Sequence, residues 1–287
     1  MLEYQLPEML RVGIEDLVLQ ILILDLGQPV TFLKKALDPP TNLAMSNSLK
    51  LLEELGAVDC QWKTNRKIEE DENLDVTCEL TALGFHLATL PVDPRVGKMM
   101  IYGALFGCVD PVLTLAAAMS SRSPFMSPFD LRDQADEARK TFAVAGSDHL
   151  TILNAFNQWF ELRQKKGGNR VVQSFLKESF LGRLTLFQIE DLRKQFHSLL
   201  IDIGFLPKKF QLKDMNHVNN TNSQNTGLIK AVLCAGLYPN IIVGPRAVAP
   251  SIAGGGKSKE KNNKNVGEHA FRSHTKGDVY LHPSTIA

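Results

Sequence analysis

No apolar run in this chain approaches the ~20 residues that a membrane-spanning helix requires. The start, Met1 to Leu10, also lacks the basic-then-apolar order of a secretory signal. The sequence is therefore expected to be soluble and cytoplasmic, with nucleus and organelle left open. Cysteine is sparse: Cys60, Cys78, Cys108 and Cys234 form no CxxC pair, so neither a zinc ribbon nor a disulfide framework is indicated and reduced, mostly buried thiols are expected. The seven histidines include no HExxH and no Cys/His cluster, and no metal is proposed. A phosphate-binding loop is missing too. Gly254-Gly255-Gly256-Lys257-Ser258 ends like one, but the glycine needed five positions before Gly256 is Ser251, and a polar Asn/Lys run follows where a helix should begin. With no Mg²⁺-binding acidic motif either, no catalytic or cofactor-binding residue is assigned, and the chain alone is expected neither to hydrolyse ATP nor to unwind a duplex.

What is present is ordinary globular composition, 44% hydrophobic and 22% charged, in a chain of 287 residues, long enough for several small domains. The net charge of +1 hides an asymmetry: Leu206 to Ala287 holds 11 Lys+Arg against 4 Asp+Glu. Such a basic third fits either a polyanion partner or a solvated tail.

The periodicity predicts a mainly α fold. Leu17, Ile21 and Leu24 recur at helical spacing before Gly27-Gln28-Pro29, and a second helix runs through Ala44, Leu49, Leu52 and Leu55 to Gly56. Two short strands, Ala57–Trp62 and Leu74–Leu80, flank a charged loop, so residues 1–90 read as a winged helix. Residues 91–205 read as a helical bundle with Pro-bearing joints. Its last helix is expected to bury Leu184, Phe187, Leu192, Phe196, Leu199 and Ile203, leaving Glu190, Arg193 and Lys194 outside. Residues 206–227, rich in Asn, Thr and Ser, read as a linker. Residues 228–287 offer a few short strands interrupted by a Gly/Lys/Asn-rich insertion at 244–268, too few to close a β-domain.

Within the bundle, Ser147 to Phe160 gathers Ile152, Leu153, Ala155, Phe156, Trp159 and Phe160 on one face. Ser147, Thr151, Asn154, Asn157 and Gln158 form an uncharged polar stripe on the other. Such groups suit sugars, phosphates and base edges read without strong sequence preference, and they equally suit a face turned to water. His149 falls on the apolar side. Arg122 stands between hydroxyls in Ser120-Ser121-Arg122-Ser123-Pro124-Phe125, where it could touch phosphate. Lys208, Lys209 and Lys213 surround Phe210 in a small basic cluster that either binds RNA or solubilises a linker.

The order of these stretches resembles the region that follows the two RecA-like lobes of DEAH/RHA-type RNA helicases. Leu6-Pro7-Glu8-Met9-Leu10-Arg11 is similar to the exit from the second lobe. Leu51-Leu52-Glu53-Glu54-Leu55-Gly56-Ala57 and Leu80-Thr81-Ala82-Leu83-Gly84 are similar to the family's winged helix, with Ala82 in place of the usual proline. Leu90-Pro91-Val92-Asp93-Pro94-Arg95, Cys108-Val109-Asp110-Pro111, Ser123-Pro124-Phe125 and Ser147-Asp148-His149-Leu150 follow the helicase-associated ratchet bundle. Ala235-Gly236-Leu237-Tyr238-Pro239-Asn240 and Leu281-His282-Pro283-Ser284 resemble opening strands of its oligonucleotide-binding (OB) fold. The resemblance implies an accessory region guiding single-stranded RNA beside RecA-like lobes that hold ATP and Mg²⁺. It implies RNA contacts at Arg122 and Ser123, at Ser147, Asp148 and His149, and at His282 and Pro283, to which the stripe adds Asn154 and Asn157. Compared with the family's pattern, the chain is expected to be a fragment holding a truncated OB domain. The alternative is a stand-alone winged-helix and helical protein-interaction module.

Overall fold

The computed structural model describes residues 7–63, 74–165, 168–243, 271–273, 277–279 and 285. Local signals set where each element starts and stops. Helix α1 (Glu15–Ile23) is followed by Asp25 and Gly27 in left-handed backbone, at φ 51° and 101°, and α2 (Pro29–Leu33) restarts on a proline suited to a first helical position. Thr41 caps α3 (Asn42–Glu54), its Oγ accepting from Ala44 N at 3.1 Å, and Gly56 at φ 75° closes it. Strands β1 (Val58–Trp62) and β2 (Val76–Leu80) pair antiparallel with Val58 opposite Leu80.

Thr81 ties this hairpin to α4 (Ala82–Ala88). Its Oγ accepts from Gly84 N at 2.9 Å, capping the helix, and donates to Gly56 O at 2.7 Å. Gly84 packs so closely that a Cβ there would lie 1.8 Å from Ala57 O. The Thr of the Leu80–Gly84 motif therefore has a hydrogen-bonding cause and the Gly a steric one.

The cysteine expectation needs correction. The β1–β2 register places Cys60 opposite Cys78, and the two are joined in a disulfide with Cα atoms 4.3 Å apart. Cys78 N donates to Gln28 Oε1 at 2.8 Å rather than across the ladder, so the pair occupies a narrow, non-hydrogen-bonded position. Strand register decides this, and spacing along the chain does not show it. Cys108 is a free buried thiol, pushed by burial up to about 11, and Cys234 is free and exposed.

Asp93 opens α5 (Pro94–Leu105): its carboxylate accepts from Arg95 N at 2.9 Å, with Pro94 at the first helical position. Lys98 in α5, 8% exposed, donates to Leu55 O at 2.8 Å and so joins the winged helix to the bundle. Helix α6 (Val109–Met119) is buried from Val109 to Ala118, with Pro111 in the first turn where its missing N–H breaks no helical bond. The chain continues through α7 (Arg132–Lys140), α8 (Asp148–Gln164), α9 (Gly168–Glu178), α10 (Arg183–Asp202) and α11 (Thr226–Leu237); α5, α8, α10 and α11 pack on α6, and α9 packs on α8.

Two sequence expectations change here. Helix α10 buries Leu186, Ile189, Glu190, Arg193, Phe196 and Leu200, while Leu184 is 79% exposed. Phe187, Leu192, Leu199 and Ile203 of the expected stripe are half-buried against the same core, and the change is the burial of Arg193, which pairs with the buried Asp110 of α6, and of Glu190, which is gripped by Arg163 of α8. Burial works to raise the Glu190 carboxyl, but the bonds from Arg163 and Lys194 overcome it and hold it low.

The second change concerns the linker and the helix after it. Leu206, Phe210 and Asn220 are buried, and the Asn220 amide donates to Leu212 O at 2.7 Å and Asp214 O at 3.0 Å while its oxygen accepts from Asp110 N at 3.0 Å. Asn side chains here replace the backbone partners that a folded loop lacks. Residues 228–237, expected to open the β-rich part, belong instead to α11, which packs against α5 with Gly236 at the contact: a Cβ there would meet Met99 Cβ at 2.6 Å.

The chain divides into two compact units, the first reaching to Tyr238 and the second spanning Pro239–Thr285. In the second, β3 (Ile242–Val243), β4 (Phe271–Ser273) and β5 (Gly277–Val279) form an antiparallel sheet in that order. The insertion 244–268, the Gly254–Ser258 segment and the pair His282 and Pro283 lie outside the described residues. The fold is mainly α, as the periodicity predicts. Among the described residues no helix is long and apolar enough to cross a membrane.

Candidate nucleic-acid interface

Helix α8 starts where Ser147 Oγ accepts from Leu150 N at 3.4 Å, and Asp148 pairs with Arg139 at 2.8 Å. Ser147 and Asp148 are therefore already engaged in capping and pairing. His149 is partly buried, and burial pulls its imidazole below the ordinary value against the opposing pull of the Asp148 carboxylate. It is therefore a poorer source of positive charge for a phosphate than a free imidazole.

The polar stripe proves uneven. Thr151 is fully buried and donates to Ser147 O at 2.8 Å. Asn154 is used at both ends: its Nδ2 donates to Phe142 O at 3.1 Å and its Oδ1 accepts from Gln158 Nε2 at 3.2 Å. Asn157 differs, since its amide oxygen is buried with no hydrogen-bond partner among the described residues. Asn154 and Asn157 line a cavity of about 220 Å³ between α8, the first turns of α6 and α11, and the 213–226 segment. Lys213 stands on the same wall, its Nζ 3.3 Å from Asp110 Oδ2 and 5.2 Å from the centre of the Phe160 ring. The rest of the basic cluster separates, for Lys208 and Lys209 are exposed, whereas Phe210 is 4% exposed and packs between the rings of His197 and His217. It is core, and no base can stack on it.

Arg122 and Ser123 belong to a different place. Arg122 is exposed on an open groove of about 830 Å³ whose other wall is α10, and it makes no ion pair among the described residues. Ser123 Oγ accepts from Phe125 N at 3.3 Å. The joint is held against the α9–α10 turn by Gly182 N donating to Pro124 O at 2.8 Å and Met126 N donating to Phe180 O at 2.8 Å, with Phe180 at φ 51°. Cavity and groove share no lining residue. Sequence reasoning missed Asp110, Glu161 and Ser223 on the cavity wall. They come from segments far apart in the chain; Asp110 lies in the Cys108–Pro111 motif, which does not show that it faces a cavity, and Glu161 and Ser223 carry no local signal.

Residues 48–92 match the winged-helix model of the helicase-associated domain (HA2), and residues 93–152 match its ratchet-like model. The chain carries an HA2 region, its winged-helix and ratchet-like domains at residues 48–152. The chain is 39% identical over 285 residues, 99% of its length, to the Arabidopsis thaliana "DExH-box ATP-dependent RNA helicase DExH1". It is 42% identical over 242 residues, 84% of its length, to the Homo sapiens "ATP-dependent RNA helicase DHX29", and 44% identical over 240 residues, 83%, to the Homo sapiens "ATP-dependent DNA/RNA helicase DHX36". It spans 24%, 16% and 22% of those three proteins.

Two histidines of the chain carry a pH prediction. His149 and His197 are both lowered from 6.5, chiefly by burial; His197 Nε2 donates to Phe210 O at 3.2 Å and lies in the field of Arg193. A lowered value means the unfolded chain binds the proton more tightly, so this stability is complete above pH 6.5 and is lost as the pH falls through the folded values. The urea midpoint is expected to drop from pH 7.5 to 5.5, and to drop less in a His149→Gln/His197→Asn variant. An equal drop in both proteins would assign the loss to other groups.

Proposed function

We propose that the chain is an RNA-binding accessory region that holds single-stranded RNA beside two RecA-like lobes, where ATP and Mg²⁺ drive movement along the strand. The winged helix of 1–90 braces the lobes, and the ratchet bundle guides the strand. The observation that carries the reading is the meeting of the Asn157 amide and the Lys213 ammonium on one open cavity of the bundle. Arg122, the exposed lysines and the basic balance after Leu206 support it, as do relatives whose names are those of RNA helicases. Phosphate attraction supplies affinity and uncharged groups supply placement. His282 and Pro283 would add contacts from the last domain. The chain itself is not expected to turn over ATP, and the cytoplasm is the compartment proposed.

The test is fluorescence anisotropy with a labelled polyuridine strand across a salt series. Binding should fall steeply between about 50 and 200 mM salt, because bound counterions are released. Removing 206–287 would also remove core residues such as Leu206 and Phe210, so the charges are better removed by substitution. With about 0.7 of slope per phosphate contact on a single strand, Lys208→Ala/Lys209→Ala should lower the log–log salt slope by roughly 1.4. Arg122→Ala should weaken binding in the same salt-dependent manner. Binding that ignores salt, or no binding at all, would leave a protein-interaction module as the better reading.

A further inference from the structure

Strands β1 and β2 are held together without their sulfurs. Lys63 N donates to Asp75 O at 3.1 Å, and alternation along an antiparallel ladder makes Gln61–Thr77 and Asp59–Glu79 hydrogen-bonded pairs too, with Cys60–Cys78 between them in the narrow position. Val58, Leu74, Val76 and Cys78 of the hairpin are buried, Thr81 Oγ bonds to Ala57 O at the strand base, and Gln28 holds Cys78 N at the outer edge. The ladder and these bonds keep the two cysteines opposite one another whether or not the sulfurs are joined. Small secreted domains need disulfides because their cores are too small. This hairpin shares one core with the ratchet helices, so the dithiol form folds as well.

The two sulfurs differ in access. Cys78 is 1% exposed, whereas Cys60 is half-buried between the exposed Asp59 and Gln61. A thiolate arriving from solvent therefore meets Cys60, and Cys78 is the departing group. Disulfides that solvent reaches are the labile class, and fully buried ones are the permanent class.

We propose that Cys60 and Cys78 are a redox modification site, a latch on the winged-helix hairpin that thiols open and a disulfide oxidant closes. In opening, a reductant thiolate bonds to Cys60 Sγ while the bond between the cysteines breaks, its electron pair leaving on Cys78, which takes a proton. A second thiolate, from the same dithiol or another monothiol, attacks the reductant sulfur now attached to Cys60. Cys60 leaves and takes a proton in turn. The hairpin gains two electrons and two protons, and the two reductant thiols depart joined as a disulfide. Closing is the reverse exchange, in which the oxidant is reduced to thiols. The closed latch cross-links residues 18 apart and fixes the strand ends that carry Trp62, bonded to Glu53 at 3.1 Å, and the Lys63–Asp75 ion pair at 3.6 Å. It goes beyond RNA binding and stands whether or not the chain binds RNA.

The experiment uses the full chain carrying Cys234→Ser, equilibrated natively across ratios of reduced to oxidised glutathione, quenched in acid, then denatured and alkylated so that thiols are counted by mass. Three thiols are expected at the reducing end and one, Cys108, at the oxidising end, with a single two-electron transition between them. Both forms should melt cooperatively, the oxidised one about 5 °C higher, because the bond restricts the unfolded chain. Hydrogen exchange at Gln61 and Thr77 should slow several-fold on oxidation, while exchange in α8 stays the same. The reduced chain is itself the unbridged reference, so the test needs no variant that removes the pair. Three thiols at every ratio would show that the sulfurs never join, and one thiol at every ratio would show a permanent bond; either result overturns the latch. Equal melting and equal exchange in the two forms also overturn it, because the bond then holds nothing. Cys60→Ser should lose the transition and the melting shift, and a shift that persists in that variant overturns the assignment to this pair.

Discussion

Replacing Asp110 by alanine is expected to destabilise the first unit by about 3–5 kcal/mol, the cost of leaving the partner of a buried ion pair uncompensated. The side chains of Asp110 and Arg193 are 5% and 3% exposed. Arg193 bonds to the Asp110 carboxylate, and its Nε has no partner among the described residues. Burial pulls the guanidinium below its ordinary value, and Asp110 opposes this. Without the carboxylate, a cation remains against the faces of Phe156 and Phe160, 5.7 Å and 5.8 Å from the ring centres, and attraction to a ring replaces only part of what an ion pair supplies. Arg193→Met should cost less, because Asp110 keeps Lys213 at 3.3 Å and that lysine reaches solvent. Urea unfolding of both variants and the wild type measures the difference. A loss below about 1 kcal/mol for Asp110→Ala would show that water enters the site and that the pair is not a structural pivot.

Gly84→Ala is expected to cost about 3 kcal/mol, the upper part of the usual range for overpacking. The added Cβ would lie 1.8 Å from Ala57 O and 2.8 Å from Ala57 C, both backbone atoms. That carbonyl cannot swing aside cheaply, because it accepts from Thr81 N at 3.1 Å and Thr81 Oγ at 3.1 Å. Alanine is the better helix former by about 1 kcal/mol, which opposes the clash without matching it. Denaturation followed by tryptophan fluorescence in a Trp159→Phe background, where Trp62 of β1 is the remaining tryptophan, reports on the winged helix. A neutral or stabilising Gly84→Ala would mean that α4 shifts away and that the close approach is not required.

Both residues lie in motifs visible in the sequence, Leu80–Gly84 and Cys108–Pro111, yet the sequence shows only that they recur in a family. Element stops were legible because they depend on chemistry within a few residues: Gly27-Gln28-Pro29 ends α1 and Gly56 ends α3, both glycines at positive φ. The apolar face of α8 was legible for the same reason, its period being that of the helix itself.

What the sequence determined by itself was therefore the mainly α class, the helix–strand order of the winged helix, the ratchet bundle and the family. Tertiary structure alone decided the burial of Glu190 and Arg193 in α10, the bond between Cys60 and Cys78, the folding of the Asn-rich segment onto α6, and the division of the α8 stripe into spent and unspent amides. The physical reason is separation along the chain. Asp110 and Arg193 are 83 residues apart and Asp110 and Asn220 are 110 apart, so no local period records their pairing. A hydrophobic wheel counts Arg193 as surface, and only the carboxylate brought to it by α6 makes its burial favourable.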